Sequence, residues 1–229
     1  MDFYRHYKQS ITKYGSIEQY VDHKRKGSQG ALVRYLKRQL PTRSSEPIKI
    51  LELGSGIGTL SYLLAEAGFT VTSLEIDQKM IKLQKELLAV SDAKWDIIEG
   101  DLFDVEKLLT KKSFDICLSL GVMEHFTEGL IKRSLEQQSA ISQKVVVAVP
   151  SINLAEEYQN KSMGDEKFWD ITRWLALFAS MDLHCGSYSG LLFGKSCRTK
   201  LPDWIGNQPV SARLFSNQAA FYVFTITNK

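Results

Sequence analysis

Cysteine is scarce in this chain. There are three (Cys117, Cys185 and Cys197), an odd number, far apart and without a CxxC pair. That excludes a disulfide framework and a clustered thiolate metal site, and reads as reduced thiols in a cytoplasm. No apolar run approaches the roughly 20 residues of a membrane-spanning helix, so no membrane association is expected. The first residues, Met-Asp-Phe-Tyr-Arg-His-Tyr, lack the apolar segment of a secretion signal. Repeats and low-complexity tracts are absent. Charge of one sign is in short supply too: a net +3 over 229 residues does not announce a nucleic-acid-binding surface.

What charge there is falls unevenly. Residues 1–50 hold 11 Lys/Arg against 4 Asp/Glu, and the remainder 18 against 22. The basic N-terminal segment reads as a solvated helical face, with docking of an anionic acceptor as the rival reading. A hydrophobic content of 44% and a charged content of 24% suit one soluble domain with a substantial core and an extra segment.

Residues 1–46 predict two or three helices. Phe3, Tyr4, Tyr7 and Ile11 recur at helical spacing, as do Ala31, Leu32, Tyr35, Leu36 and Leu40. The run from Pro41 to Pro47 marks a surface connection. This extension is too short and too lightly apolar to fold alone, so it is expected to cover the domain formed by residues 47–229 as a lid or flank. From there strands and helices alternate. Strands are expected at Ile48–Leu53, Phe69–Ile76, Trp95–Ile98, Phe114–Leu120 and Val145–Val149, with Gly68 as a helix C-cap. Helices are expected after the glycines, at Gln78–Val90, at Glu128–Ile141 and in a short piece ending at Leu109. That alternation predicts an α/β fold with a doubly wound, mostly parallel sheet. Further on, Glu166–Met181 reads as a helix, Leu183–Tyr188 as a strand, Gly190–Gln218 as a long loop and Phe221–Thr227 as a final strand.

The chain is organised around Ile-Lys-Ile-Leu-Glu-Leu-Gly-Ser-Gly-Ile-Gly-Thr, residues 48–59. A buried strand runs into glycines and then an amphipathic helix, so bare backbone and a helix N-terminus face a ligand. A dinucleotide fingerprint would place its third glycine at 59, where Thr59 stands. The pattern is instead Glu52-x-Gly54-x-Gly56-x-Gly58. Glu75 ends the second strand 21 positions after Gly54, close to the spacing of a ribose-binding acid, whose carboxylate could accept from both ribose hydroxyls.

These residues resemble motif I and its sequels in the class I S-adenosylmethionine-dependent methyltransferases, most closely the small-molecule ones, over about residues 46–150. The resemblance implies a Rossmann-like sheet of seven strands, the last antiparallel and inserted between the fifth and sixth. It implies S-adenosyl-L-methionine as cofactor, held by Glu52, Gly54, Ser55, Gly56, Gly58, Glu75 and Ile76. It places Asp101 beside the adenine amino group and Leu102 against the ring, with a helix N-cap as the rival role for Asp101. Backbone around Ser119 and Leu120 would hold the cofactor's amino group. The Asn/Asp-Pro-Pro-Tyr/Phe motif of amine-specific members is replaced here by Ser119-Leu120-Gly121-Val122.

His125 is the candidate catalytic residue, since an imidazole can take a proton from an acceptor hydroxyl at neutral pH; packing is its rival role. No metal is required. Asp165-Glu166 opens a predicted helix that would lie over the acceptor. Tyr158, Trp169, Trp174 and Trp204 could line an acceptor cavity, although such aromatics are more often core. The expected activity is methyl transfer to a small molecule, at oxygen rather than nitrogen or carbon, with no nucleic-acid partner. The rivals are a methyltransferase of protein or RNA and a non-catalytic cofactor-binding domain.

Overall fold

The structure, a computed structural model, describes residues 3–40, 46–152, 165–181, 183–193, 209–211 and 219–228. Three helices come first: α1 (Phe3–Tyr14), α2 (Ile17–Lys26) and α3 (Ser28–Gln39). Ser16 starts α2 by accepting the Gln19 backbone N–H at 3.2 Å, as a helix cap does. There follow β1 (Lys49–Leu53), α4 (Thr59–Glu66), β2 (Thr70–Glu75), α5 (Gln78–Ala89), β3 (Asp96–Glu99), α6 (Val105–Leu108) and β4 (Phe114–Leu120). After a single 3-10 turn at Met123–His125 come α7 (Glu128–Ile141), β5 (Ser142–Pro150), α8 (Ile171–Ala179), β6 (Leu183–Phe193), β7 (Pro209–Ser211) and β8 (Ala219–Asn228).

The strands form one sheet in the order β3-β2-β1-β4-β5-β8-β6-β7. The first five are parallel, and β8 enters antiparallel between β5 and β6. This is the expected seven-stranded arrangement with its inserted last strand; the three-residue β7 adds an edge beyond β6. Gly68 takes φ +94 just past α4, and its N–H and that of Phe69 reach back to Ala65 and Leu64 carbonyls, so the glycine stop is real.

Both faces of the sheet are covered, and the strands alternate accordingly. Ile50, Val71, Ile116, Leu118, Val146, Ala148 and Val223 face a layer built from α3 and α4. On the other face Leu51, Leu53 and Cys117 meet Val105 and Ile141. Val145, Val147, Tyr222 and Phe224 meet α7 and α8 there. Helix α3 is part of the first layer: Ala31, Leu32, Tyr35 and Leu36 are almost fully buried in it. A leucine contributes about 1.5–3 kcal/mol when buried, so with Leu32 and Leu36 inside, α3 is integral to the sheet's stability. Helix α1 packs elsewhere, with Tyr4, Tyr7 and Ile11 against Ile57, Met80 and Leu83.

Helix α8 begins later than the sequence suggests. Asp165 and Glu166 do not open it; Asp170 does, accepting the Arg173 N–H at 2.9 Å. Residues 165–170 run without helix, tied down where the Lys167 N–H donates to the Glu124 carbonyl at 2.9 Å. Trp174 is fully buried against Phe178 and Phe224, a core residue rather than a cavity lining. Tyr158, Trp204, Cys197 and the connection at 41–45 lie outside the described residues, as does most of the expected loop at 190–218. No described helix is long and apolar enough to cross a membrane.

Candidate functional site

Strand β1 delivers its last residues to the carboxyl edge of the sheet, and there the chain reverses through three left-handed glycines. Gly54, Gly56 and Gly58 have φ of +61, +56 and +76, a region that L side chains avoid. Space is tight as well. A Cβ on Gly54 would come within 2.9 Å of Val122 Cγ2, and one on Gly56 within 3.3 Å of the Tyr7 hydroxyl. Gly58 is closed by Gln84, whose Cγ would stand 3.0 Å away.

Gln84 braces the turn from below. It is fully buried in α5; its amide donates to Ser55 Oγ at 2.8 Å and to the Gly56 carbonyl at 2.7 Å, while its oxygen accepts from Ser73 at 2.8 Å. Ser55 therefore turns its hydroxyl into the protein and offers only backbone outward. Glu52 also points inward, to Ser61 Oγ, which donates to it. Burial pushes the Glu52 carboxyl up to about 8, opposed by that hydroxyl and reinforced by the charge of Glu75.

Glu75 lies at the mouth of the turn. Its Oε2 accepts the Gly56 N–H at 2.7 Å, and its Oε1 accepts those of Ile76 and Asp77 at 2.9 and 3.0 Å. Burial raises its pKa, against the pull of those three N–H groups. With about four acceptor positions on a carboxylate, one remains open among the described residues, on Oε2. Ile76 follows with 61% of its surface exposed, an uncommon state for a large apolar residue at a strand end. Asp101 accepts the Phe103 N–H at 2.9 Å, forming a local turn, while Asp104 is the cap residue of α6.

A cleft of about 200 Å³ is lined by Gly54, Glu75, Ile76, Asp101 and Leu102 and by Phe103 and Phe126. The two phenyl rings meet edge to face at 4.9 Å. Ser119 is fully buried and its hydroxyl has no hydrogen-bond partner among the described residues. It and Leu120 are not cleft-lining side chains. They bring the chain to Gly121, whose N–H bonds the Ala148 carbonyl at 2.9 Å, and to the 3-10 turn that carries His125.

The His125 Nδ1 stands 2.8 Å from Asp165 Oδ1, and its side chain is 16% exposed. Glu166 brings a third donor, all three lying within 4.8 Å of one another. Beside them Glu124 is buried; desolvation, with the charges of Glu166 and Asp165, pushes its carboxyl up to about 8. Tyr7, Gln84, Phe103 and Asp165 as the partner of His125 are the site residues that sequence reasoning missed. Gln84 alone left a local trace, as a polar residue on the apolar face of α5.

The sheet order with its reversed, inserted strand defines a Rossmann-like methyltransferase fold. Residues 50–142 match the model of a family described as a methyltransferase domain. Residues 50–142 are thus similar to a methyltransferase domain, and the fold is that of the class I methyltransferases, whose methyl donor is S-adenosylmethionine. Among solved structures, the magnesium protoporphyrin IX methyltransferase of Synechocystis, determined with S-adenosylhomocysteine, superposes with a TM-score of 0.64. It is 14% identical and the match covers 100% of this chain and 97% of that one. Among curated relatives, the ribosomal RNA small subunit methyltransferase A of Myxococcus xanthus is 30% identical over 128 residues, 55% of this chain and 43% of that protein. The ubiquinone biosynthesis O-methyltransferase of Pelagibacter ubique is 29% identical over 104 residues, 42% of each. The chain thus spans less than half the length of these curated relatives.

Proposed function

We propose that the protein transfers the methyl group of S-adenosylmethionine to an oxygen of a small molecule. In this reading the adenosine lies in the cleft, its adenine between Ile76 and Leu102 with Asp101 at the amino edge. The open position on Glu75 Oε2 takes a ribose hydroxyl. The backbone of Gly54, Ser55 and Gly56 and of Ser119–Leu120 holds the methionine part, with Glu52 and Gly58 shaping the turn. Of the N-terminal extension, α1 acts as the cover, with Tyr7 touching the turn itself, while α3 belongs to the core. The sulfonium already makes the methyl electrophilic, so the chain's task is to orient the acceptor, exclude water and deal with its proton.

The observation that carries this reading is the His125–Asp165 pair, 2.8 Å apart on the turn that follows β4. A carboxylate on Nδ1 fixes the ring, and an imidazole so held is suited to take a proton from a hydroxyl as the O–CH3 bond forms. A neutral amine attacks through its lone pair without first losing a proton, and the motif of amine-specific members is absent. The scarce cysteines, of which Cys117 and Cys185 are free, suit a cytoplasmic setting.

RNA methylation is the second reading, favoured by relatives named for ribosomal RNA and by the basic excess in residues 1–50. The two separate in one experiment: the purified chain is incubated with donor carrying a labelled methyl and with a metabolite extract, an RNA pool or a protein pool. Label in alkali-stable small molecules supports the proposal; label confined to RNA or protein overturns it.

A further inference from the structure

Three donors of metal-ligand type converge at the turn that follows β4: His125 Nδ1 and one carboxylate oxygen each from Asp165 and Glu166, mutually within 4.8 Å. Two ligands at right angles, each about 2.1 Å from an ion, stand about 3 Å apart, and Nδ1 and Asp165 Oδ1 are 2.8 Å apart. The segment that supplies both acids is not free to drift, because the Lys167 N–H is bonded to the Glu124 carbonyl. That bond ties the acids to the same turn as the histidine.

A second observation points the same way. Glu124 is only 3% exposed, and its Oε2 has no hydrogen-bond partner among the described residues. It sits close enough to Asp165 and Glu166 to feel both their charges. Two carboxylates beside one imidazole form a local excess of negative charge, and the buried Glu124 oxygen without a hydrogen-bond partner is costly. A cation or its bound water satisfies both. An imidazole with two carboxylates suits Mn2+, Zn2+ or Fe2+, and three protein ligands leave positions open for an acceptor.

We infer that His125, Asp165 and Glu166 form a site for a divalent metal ion, which binds the acceptor oxygen during methyl transfer. The inference rests on the preceding reading and deepens it by naming the acceptor: an oxygen nucleophile able to coordinate metal, best a hydroxyl with a second oxygen beside it. With the ion present, Nδ1 exchanges its carboxylate contact for the metal. The ion then takes over from the imidazole the task of ionising the acceptor: it lowers the pKa of the hydroxyl bound to it, whose proton passes to water. The alkoxide or phenoxide attacks the methyl carbon, the O–C bond forms, and the C–S bond breaks with its electron pair going to sulfur.

The test uses the whole chain, stripped of metal by chelator and titrated with Mn2+ alone while the free-ion signal is followed by electron paramagnetic resonance. Calorimetry with S-adenosylhomocysteine is run on the same samples. Wild type should bind one equivalent of Mn2+, displaceable by Zn2+. Asp165→Asn with Glu166→Gln should weaken it at least about tenfold while homocysteine-nucleoside binding stays within about twofold. His125→Ala should weaken Mn2+ comparably, a second variant in case the first is poorly folded. Absence of Mn2+ and Zn2+ binding by wild type, or equal binding by the variants, overturns the site. Loss of S-adenosylhomocysteine binding by wild type with Mn2+ binding intact would instead contradict the methyltransferase reading.

Discussion

Glu75 is held by three backbone N–H groups and retains one acceptor position, so its substitution separates holding the turn from holding a ribose. Glu75→Ala should weaken S-adenosylhomocysteine binding by at least about 1.5–3 kcal/mol, the range for hydrogen bonds to a charged group. The variant should also discriminate less than wild type against a 2′- or 3′-deoxyribose analogue; equal discrimination by both proteins would remove Glu75 from the ribose. Glu52 has a different signature. Its folded carboxyl titrates near 8 against 4.5 for the ordinary group, so between those values the native state keeps a proton that the unfolded chain has lost. Its contribution to stability therefore falls as pH rises from about 4.5 to about 8 and is level above. Glu52→Gln should flatten that part of the slope when urea midpoints are compared at pH 5.5 and 8. A slope equal to wild type would mean that Glu52 is ionised in the fold.

Among the elements, the N-terminal helices divide their work. Helix α3 is core, whereas α1 reaches the glycine turn through Tyr7. Tyr7→Ala should therefore lower S-adenosylhomocysteine affinity while leaving the unfolding free energy from urea titration within about 1 kcal/mol of wild type, and deletion of residues 1–15 should lower that affinity further. Unchanged affinity in both would place α1 outside the site. The spacing of Ala31, Leu32, Tyr35 and Leu36 announced an amphipathic helix, yet not which face of the sheet would bury it. The contact of Tyr7 with Gly56 left no trace in either local pattern, because it joins residues 49 positions apart. Helix α8 was misplaced for a local reason: Asp165-Glu166 and Asp170 are both plausible caps, and the chain uses the one whose carboxylate reaches an N–H three residues on.

At the scale of the molecule, the fold was legible because short apolar runs alternating with helices, punctuating glycines and the acids at the ends of β1 and β2 and after β3 all agree with one topology. The β1–β4 frame follows from those signals directly, and the inserted β8 from the family resemblance they support. The His125–Asp165–Glu166 cluster was not legible. It joins a strand-end turn to a segment 40 residues on, past residues with no period to fix their path, and only tertiary packing brings them together. The central claim is that this sheet edge binds the methyl donor, and the most direct measurement is calorimetric titration of the full chain with S-adenosylhomocysteine. The account predicts one equivalent bound by wild type and none measurable by Gly56→Val, whose side chain would occupy a φ of +56 and the space beside the Tyr7 hydroxyl, with far-UV circular dichroism retained. Wild-type protein that binds no S-adenosylhomocysteine, or a folded Gly56→Val protein that binds it equally well, would contradict it.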